Sequence, residues 1–208
     1  MKVIGIVCSP RINGNTEILV QEALDSARNN GADTKLIRLA KLKMAPCDGC
    51  FSCHKTGECH IKDDMQQIYD ELLGADGIIL GSPVYFWNVS AQTKILIDRC
   101  TRFIEKRGLR NKVGGAIVVT GRAGGTTAFS TLANFFNHTR MTFAGGAIGY
   151  GTDRGEVRKD ERGMAEARAL GRVMVRLIRR AVNIKSEEAL EQPLKMPSRI
   201  KIHEFDTP

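Results

Sequence analysis

"KVIGIVCSPRINGNTEILV", Lys2 to Val20, is the stretch that decides the fold. "KVIGIV" is a continuous apolar run of strand length. The residues behind it, "TEILVQEALDSARNN", set Ile18, Leu19, Ala23 and Ala27 on one helical face, and Gly31 is placed to end that helix. A buried strand feeding directly into an amphipathic helix predicts the first half of a βαβ unit.

The same alternation continues outward. "TKLIRL" reads as a second, shorter strand, and "DDMQQIYDELLGA" as a helix with Met65, Ile68 and Leu72 on one face. "DGIILGSPVY" is a third strand running into a Gly/Pro turn, followed by a helix over about Ala91–Glu105. "GGAIVVTG" is the fourth strand, "TAFSTLANFFNH" a helix, and a fifth strand lies around Met141–Tyr150. "RGMAEARALGRVMVRLIRRAV" closes the pattern, with Met164, Ala167, Leu170, Met174 and Leu177 as its apolar stripe. Repeated β-α units predict an α/β, doubly wound, five-stranded parallel sheet, and five strands suit the flavodoxin-like order 2-1-3-4-5. Residues 1–182 form one domain with a cysteine-rich segment, 40–62, inserted after strand two. Residues 183–208 are polar, hold Pro193, Pro197 and Pro208, and read as a C-terminal arm.

The 208 residues carry a net charge of +8, but the basic side chains are dispersed among acids, as in "RGEVRKDERG". No basic block is interleaved with aromatics, so the composition argues against specific nucleic-acid binding. No apolar run approaches the roughly 18 residues of a membrane span. The start is too quickly polar for a secretory signal, which points to a cytoplasmic protein without disulfides.

In a sheet of this order, ligands bind beyond the carboxyl ends of the strands, where the order reverses. Three loops belong there. After strand one, Ser9, Arg11, Asn13, Asn15 and Thr16 offer hydroxyls, amides and a fixed charge at a helix N-terminus, a natural phosphate seat. Capping of that helix by Asn13 or Asn15 is the plainer reading. After strand three, Pro83, Val84, Tyr85, Phe86, Trp87 and Asn88 gather three aromatics suited to the face of a planar ring, or to a small core of their own. After strand four, Thr120 supplies a hydroxyl while Gly121, Gly124 and Gly125 allow close backbone approach. A phosphate seat, an aromatic platform and a Gly-rich rim on one sheet edge describe a site for flavin mononucleotide, FMN.

On "SPR-x-NGNT" and "GSPVYFWNVSA" the chain resembles the NADPH-dependent FMN reductase superfamily of flavodoxin-like proteins, from Met1 to about Val182. "CDGCFSCHKTGECH", Cys47 to His60, spaced C-x2-C-x2-C-x5-C, narrows the resemblance to the iron–sulfur flavoproteins. That resemblance implies bound FMN, a [4Fe–4S] cluster and a homo-oligomer, a dimer or tetramer. Cys47, Cys50, Cys53 and Cys59 are the expected cluster ligands, since a cubane asks for one thiolate per iron. Zinc is the rival occupant, with His54 and His60 as further ligands, although its structural sites usually pair two well-separated C-x2-C knuckles. Cys8 and Cys100 read as small buried residues.

The functional expectation is electron transfer between the cluster and FMN, with electrons supplied by a ferredoxin-like carrier. An NAD(P)H-dependent flavin or quinone reductase is the enzymatic rival, and a redox sensor or zinc-bearing binding module the non-enzymatic one. No side-chain acid or base is required by such chemistry, and none is nominated.

Overall fold

The computed structural model describes residues 1–187, the stretch 182–187 as helical backbone only. Five parallel strands form the sheet: β1 Lys2–Val7, β2 Asp33–Arg38, β3 Gly77–Tyr85, β5 Val113–Thr120 and β6 Thr142–Tyr150, in the order β2-β1-β3-β5-β6. A two-residue strand, β4 Asn88–Val89, folds back antiparallel on the end of β3. With that hairpin set aside the order is the flavodoxin-like one expected from the sequence.

Alternation along β1 shows how the sheet is sandwiched. Val3 and Val7 enter the core beneath α1 (Asn15–Asn29) and α7 (Glu161–Glu187). Ile4 and Ile6 face the opposite layer, with Ile68 and Tyr69 of α3 (Met65–Gly74), Leu96 of α4 (Ala91–Arg99) and Phe136 of α6 (Gly125–His138). A strand buried on both faces must be apolar at every position, and the run "VIGIV" meets that demand. Gly81 lies close under α1: a Cβ there would collide with the Val20 side chain and approach Thr16.

The structure departs from the sequence expectations in three places. The helix expected over Ala91–Glu105 is two, α4 and α5 (Arg102–Lys106). The buried Tyr69 hydroxyl donates to the Arg99 carbonyl, and Phe103 N–H turns instead to the Cys100 carbonyl, so the α-helical ladder breaks there. The turn expected at Gly81–Pro83 is absent, because β3 continues to Tyr85 with Pro83 opposite Val119. The turn comes at Phe86 and Trp87, both with positive φ, as a two-residue hairpin demands. Finally, α7 remains helical through Glu187. The rest of the expected arm lies outside the described residues.

No helix among the described residues is long and apolar enough to cross a membrane.

Candidate cofactor sites

The first site is a cleft of about 150 Å³ at the carboxyl ends of β1, β3 and β5. Its lining includes Ser9, Arg11, Asn15, Thr16, Pro83, Val84, Tyr85 and Gly121 of the expected residues. Helix α1 starts behind Gly14, and no side chain caps it. Asn15 is therefore not the cap. Its Oδ1 accepts the amides of Gly155 and Val157, and its Nδ2 donates to the Asp153 carbonyl. Asn13 lies in the left-handed region, and its N–H donates to Glu17. A 15-residue helix whose first turn lacks a side-chain cap presents N–H groups and a positive dipole end to the cleft.

Glu17, in that first turn, is itself buried. Arg38, at the end of β2, donates to it at 2.6 Å and holds its carboxyl below the usual carboxylate range. The pair neutralises a carboxylate that would otherwise oppose an anion at the helix start.

The aromatic residues divide. Tyr85 lines the cleft, whereas Phe86 is 100% exposed and Trp87 64% exposed on the hairpin tip, outside the lining. Gly124 lets that hairpin sit down, since a Cβ there would lie 2.7 Å from Trp87 Cα. Asn88 receives a hydrogen bond from Thr131 of α6. Thr120 is buried and donates to the Ala123 carbonyl, which shapes the loop after β5, and Gly125 opens α6.

The second site is built by the cysteines. All four of Cys47, Cys50, Cys53 and Cys59 line one cavity of about 240 Å³, together with Asp48, Phe51, His60, Asp98, Arg99 and Thr101. A single water needs roughly 10–15 Å³ of such space, so the cavity admits a group far larger than one ion. The segment turns at Gly49 and Gly57, both at positive φ, around a short helix, α2 (Ser52–Thr56). Lys106 closes over Gly57, its ammonium donating to the Thr56 carbonyl.

Burial raises the Cys53 thiol, and the neighbouring Cys59, Cys47 and Cys50 raise it further. Thiols that hinder one another's ionisation are those a bound cation would reverse. No three of the four sulfurs fall within 4.8 Å of one another, whereas Asp48, Cys50 and His60 do bring their ligand atoms that close. A tetrahedral zinc held by all four sulfurs, at about 2.3 Å each, would need them closer, and a multi-iron cluster suits the wider spread. Cys8 and Cys100 are buried in the core beneath the sheet, where burial pushes both thiols up to about 12, and neither lines the cysteine cavity.

The cysteine segment leaves the sheet at the edge that holds the cleft, but its cavity lies at the far end of α4. Ser90 caps the start of α4 and donates to the Cys8 carbonyl beside the cleft. Arg99, at the other end, lines the cysteine cavity. Nine residues of helix separate the two by about 14 Å of rise.

Residues 1–153 match the family model of the NADPH-dependent FMN reductases. The chain belongs to this family. An iron-sulfur flavoprotein of Methanocaldococcus jannaschii is 43% identical over 189 residues, which cover 86% of this chain and 98% of that protein. An iron-sulfur flavoprotein of Archaeoglobus fulgidus is 35% identical over 161 residues, 76% of this chain and 72% of that one. Among solved structures, RosB with bound 8-demethyl-8-formylriboflavin-5'-phosphate superposes with a TM-score of 0.68. It covers 100% of this chain and 95% of its own at 14% identity, so the likeness is one of fold.

For an NADPH-dependent FMN reductase family member, two features of these sites carry no sequence signal. Gly151 and Thr152, after β6, line the cleft, and the Thr152 carbonyl accepts from Arg11. Nothing in their spacing separates them from an ordinary exposed loop. Arg99 sits in a helical run where a basic residue reads as solvated, yet its side chain is fully buried.

Proposed function

We propose that this chain is an iron–sulfur flavoprotein that transfers electrons between a [4Fe–4S] cluster and FMN, accepting them from a small carrier of the ferredoxin type. The observation that carries the reading is the convergence of Cys47, Cys50, Cys53 and Cys59 on one cavity within a flavodoxin-like fold. The names of the relatives at 35–43% identity point the same way.

FMN would supply a two-electron carrier and the cluster a one-electron carrier, and the protein supplies binding, orientation and electrostatics. The uncapped start of α1, with Ser9 and Thr16, would hold the phosphate, and Arg11 would add its charge from the rim. Val84 and Tyr85 would wall the ring, and the loop after β5 at Gly121 would approach its polar edge. The four thiolates would hold the cluster. The match to the NADPH-dependent FMN reductases supports a second reading, in which NAD(P)H is the donor.

One anaerobic preparation tests both. Iron, acid-labile sulfide and flavin measured on the same sample should all be present alongside a charge-transfer absorption from the cluster. Zinc in place of iron, with no sulfide, overturns the cluster reading. Rapid bleaching of the flavin by NADPH favours the reductase, and bleaching only by a reduced ferredoxin favours the carrier.

A further inference from the structure

Arg99 is the one arginine whose side chain the described structure buries completely, and its placement is specific. The guanidinium grips both oxygens of Asp63, with Nη1 to Oδ2 at 2.8 Å and Nη2 to Oδ1 at 3.1 Å. The same nitrogens donate to two backbone carbonyls, Ala45 at 2.8 Å and Ile61 at 3.2 Å. Ala45 stands two residues before Cys47, and Ile61 two after Cys59. Asp63 completes the closure by accepting the Ala45 amide at 2.8 Å and the Met65 amide at 3.0 Å. Tyr69 takes the remaining donor, Nε, at 3.3 Å.

One side chain thus fastens together the two ends of the segment that carries all four cysteines. Arg99 also lines the cysteine cavity, whereas Asp63 does not, so the ion pair turns its positive end toward the sulfurs. The Cys59 sulfur lies within the guanidinium's electrostatic reach. A cluster carried by four thiolates is an anion, and a buried positive charge beside it favours the reduced, more negative state.

We infer that Arg99 is a positioning residue for the cluster, clasping the two ends of the cysteine segment before iron arrives and raising the cluster's reduction potential afterwards. The inference rests on the cluster reading. The planar fork makes the clasp, since a lysine ammonium keeps the charge but cannot bind Asp63 in two places while reaching both carbonyls.

The test compares the parent with Arg99→Lys, Arg99→Gln and the paired variant Asp63→Asn/Arg99→Gln, which leaves no lone buried charge. Flavin content reports that each has folded. Arg99→Lys should release iron to a chelator about ten-fold faster than the parent or more, because the clasp is broken, yet keep a potential close to the parent's. Arg99→Gln and the paired variant should shift the potential of whatever cluster they retain to more negative values. Iron release from Arg99→Lys at the parent's rate overturns the clasp. An unshifted potential in both variants that lack the arginine charge overturns the electrostatic role. A flavin-loaded parent that never takes up iron and sulfide sinks the cluster reading and this inference with it, whereas a normally loaded parent matched by its variants sinks Arg99 alone.

Discussion

The Asn15 side-chain carbonyl accepts the Gly155 amide at 2.8 Å, across 140 positions of sequence. With its donation to the Asp153 carbonyl, also at 2.8 Å, it welds the first turn of α1 to the loop after β6. Two walls of the cleft are therefore tied to each other by this one side chain. Asn15→Ala strands the half-buried Gly155 amide and the buried Val157 amide and should cost about 1–3 kcal/mol of stability. Flavin affinity should fall with it, while iron content per chain stays at the parent level. Calorimetry and a flavin fluorescence titration check the two parts; an unchanged melting temperature removes Asn15 from this role.

Arg11 calls for a smaller effect than the sequence implies. A charge-assisted hydrogen bond to a partly buried phosphate is worth about 1.5–3 kcal/mol. Arg11, however, is exposed, and its Nη1 is already donated to the Thr152 carbonyl at 3.2 Å. Arg11→Ala should weaken FMN binding by about 1 kcal/mol at low salt, and by less as screening rises. Titrations at two ionic strengths read this directly; no loss at low salt means that the phosphate is held by the helix start without Arg11.

The fold was legible because β1, α1 and the strands that follow are governed by local periodicity. An apolar run such as "KVIGIV" can be satisfied only by burial on both faces, and the strand order then places the cleft. The cysteine site was legible for a different reason: thiol spacing is chemistry written in the chain itself. What could not be read depends on contacts between distant segments. The break after Arg99 needs Tyr69, thirty positions away, and the hairpin that lifts Phe86 and Trp87 away from the cleft needs β3 to run past Pro83. Asn15 illustrates the limit most clearly. Its type and position suit a helix cap, and only the folded loop at Asp153–Val157 shows that its amide is spent elsewhere.

Acid should expose the Glu17–Arg38 pair. The Glu17 carboxyl lies below its ordinary value of 4.5, chiefly through its hydrogen bond from Arg38. A depressed carboxylate contributes stability that is fully present above its unfolded value and is lost as pH falls through the folded one. Glu17→Gln should therefore melt below the parent at pH 7, and the gap should narrow as the pH drops below about 4.5. Glu71, lowered by Lys35 and Lys2, contributes with the same sign, so the Glu17→Gln variant keeps a residual acid dependence of its own. A gap that is constant from neutral pH to pH 3 contradicts the assignment.

Cys50 offers the sharpest separation of the two sites. Its sulfur lines the cysteine cavity, and its amide donates to Asp48, whose other oxygen meets His60 at 2.6 Å. Cys50→Ala removes one thiolate but leaves the backbone to make the same turn. None of the residues lining the cleft lines the cysteine cavity, and the length of α4 stands between them. The variant should lose the iron–sulfur absorption and nearly all acid-labile sulfide, while its FMN stoichiometry and melting temperature remain close to the parent's. A zinc ion seated on Asp48, Cys50 and His60 would also be lost, so metal analysis of parent and variant under the same anaerobic conditions is part of the measurement. Simultaneous loss of flavin and iron would mean that the sites depend on each other through the fold, against the separation seen here.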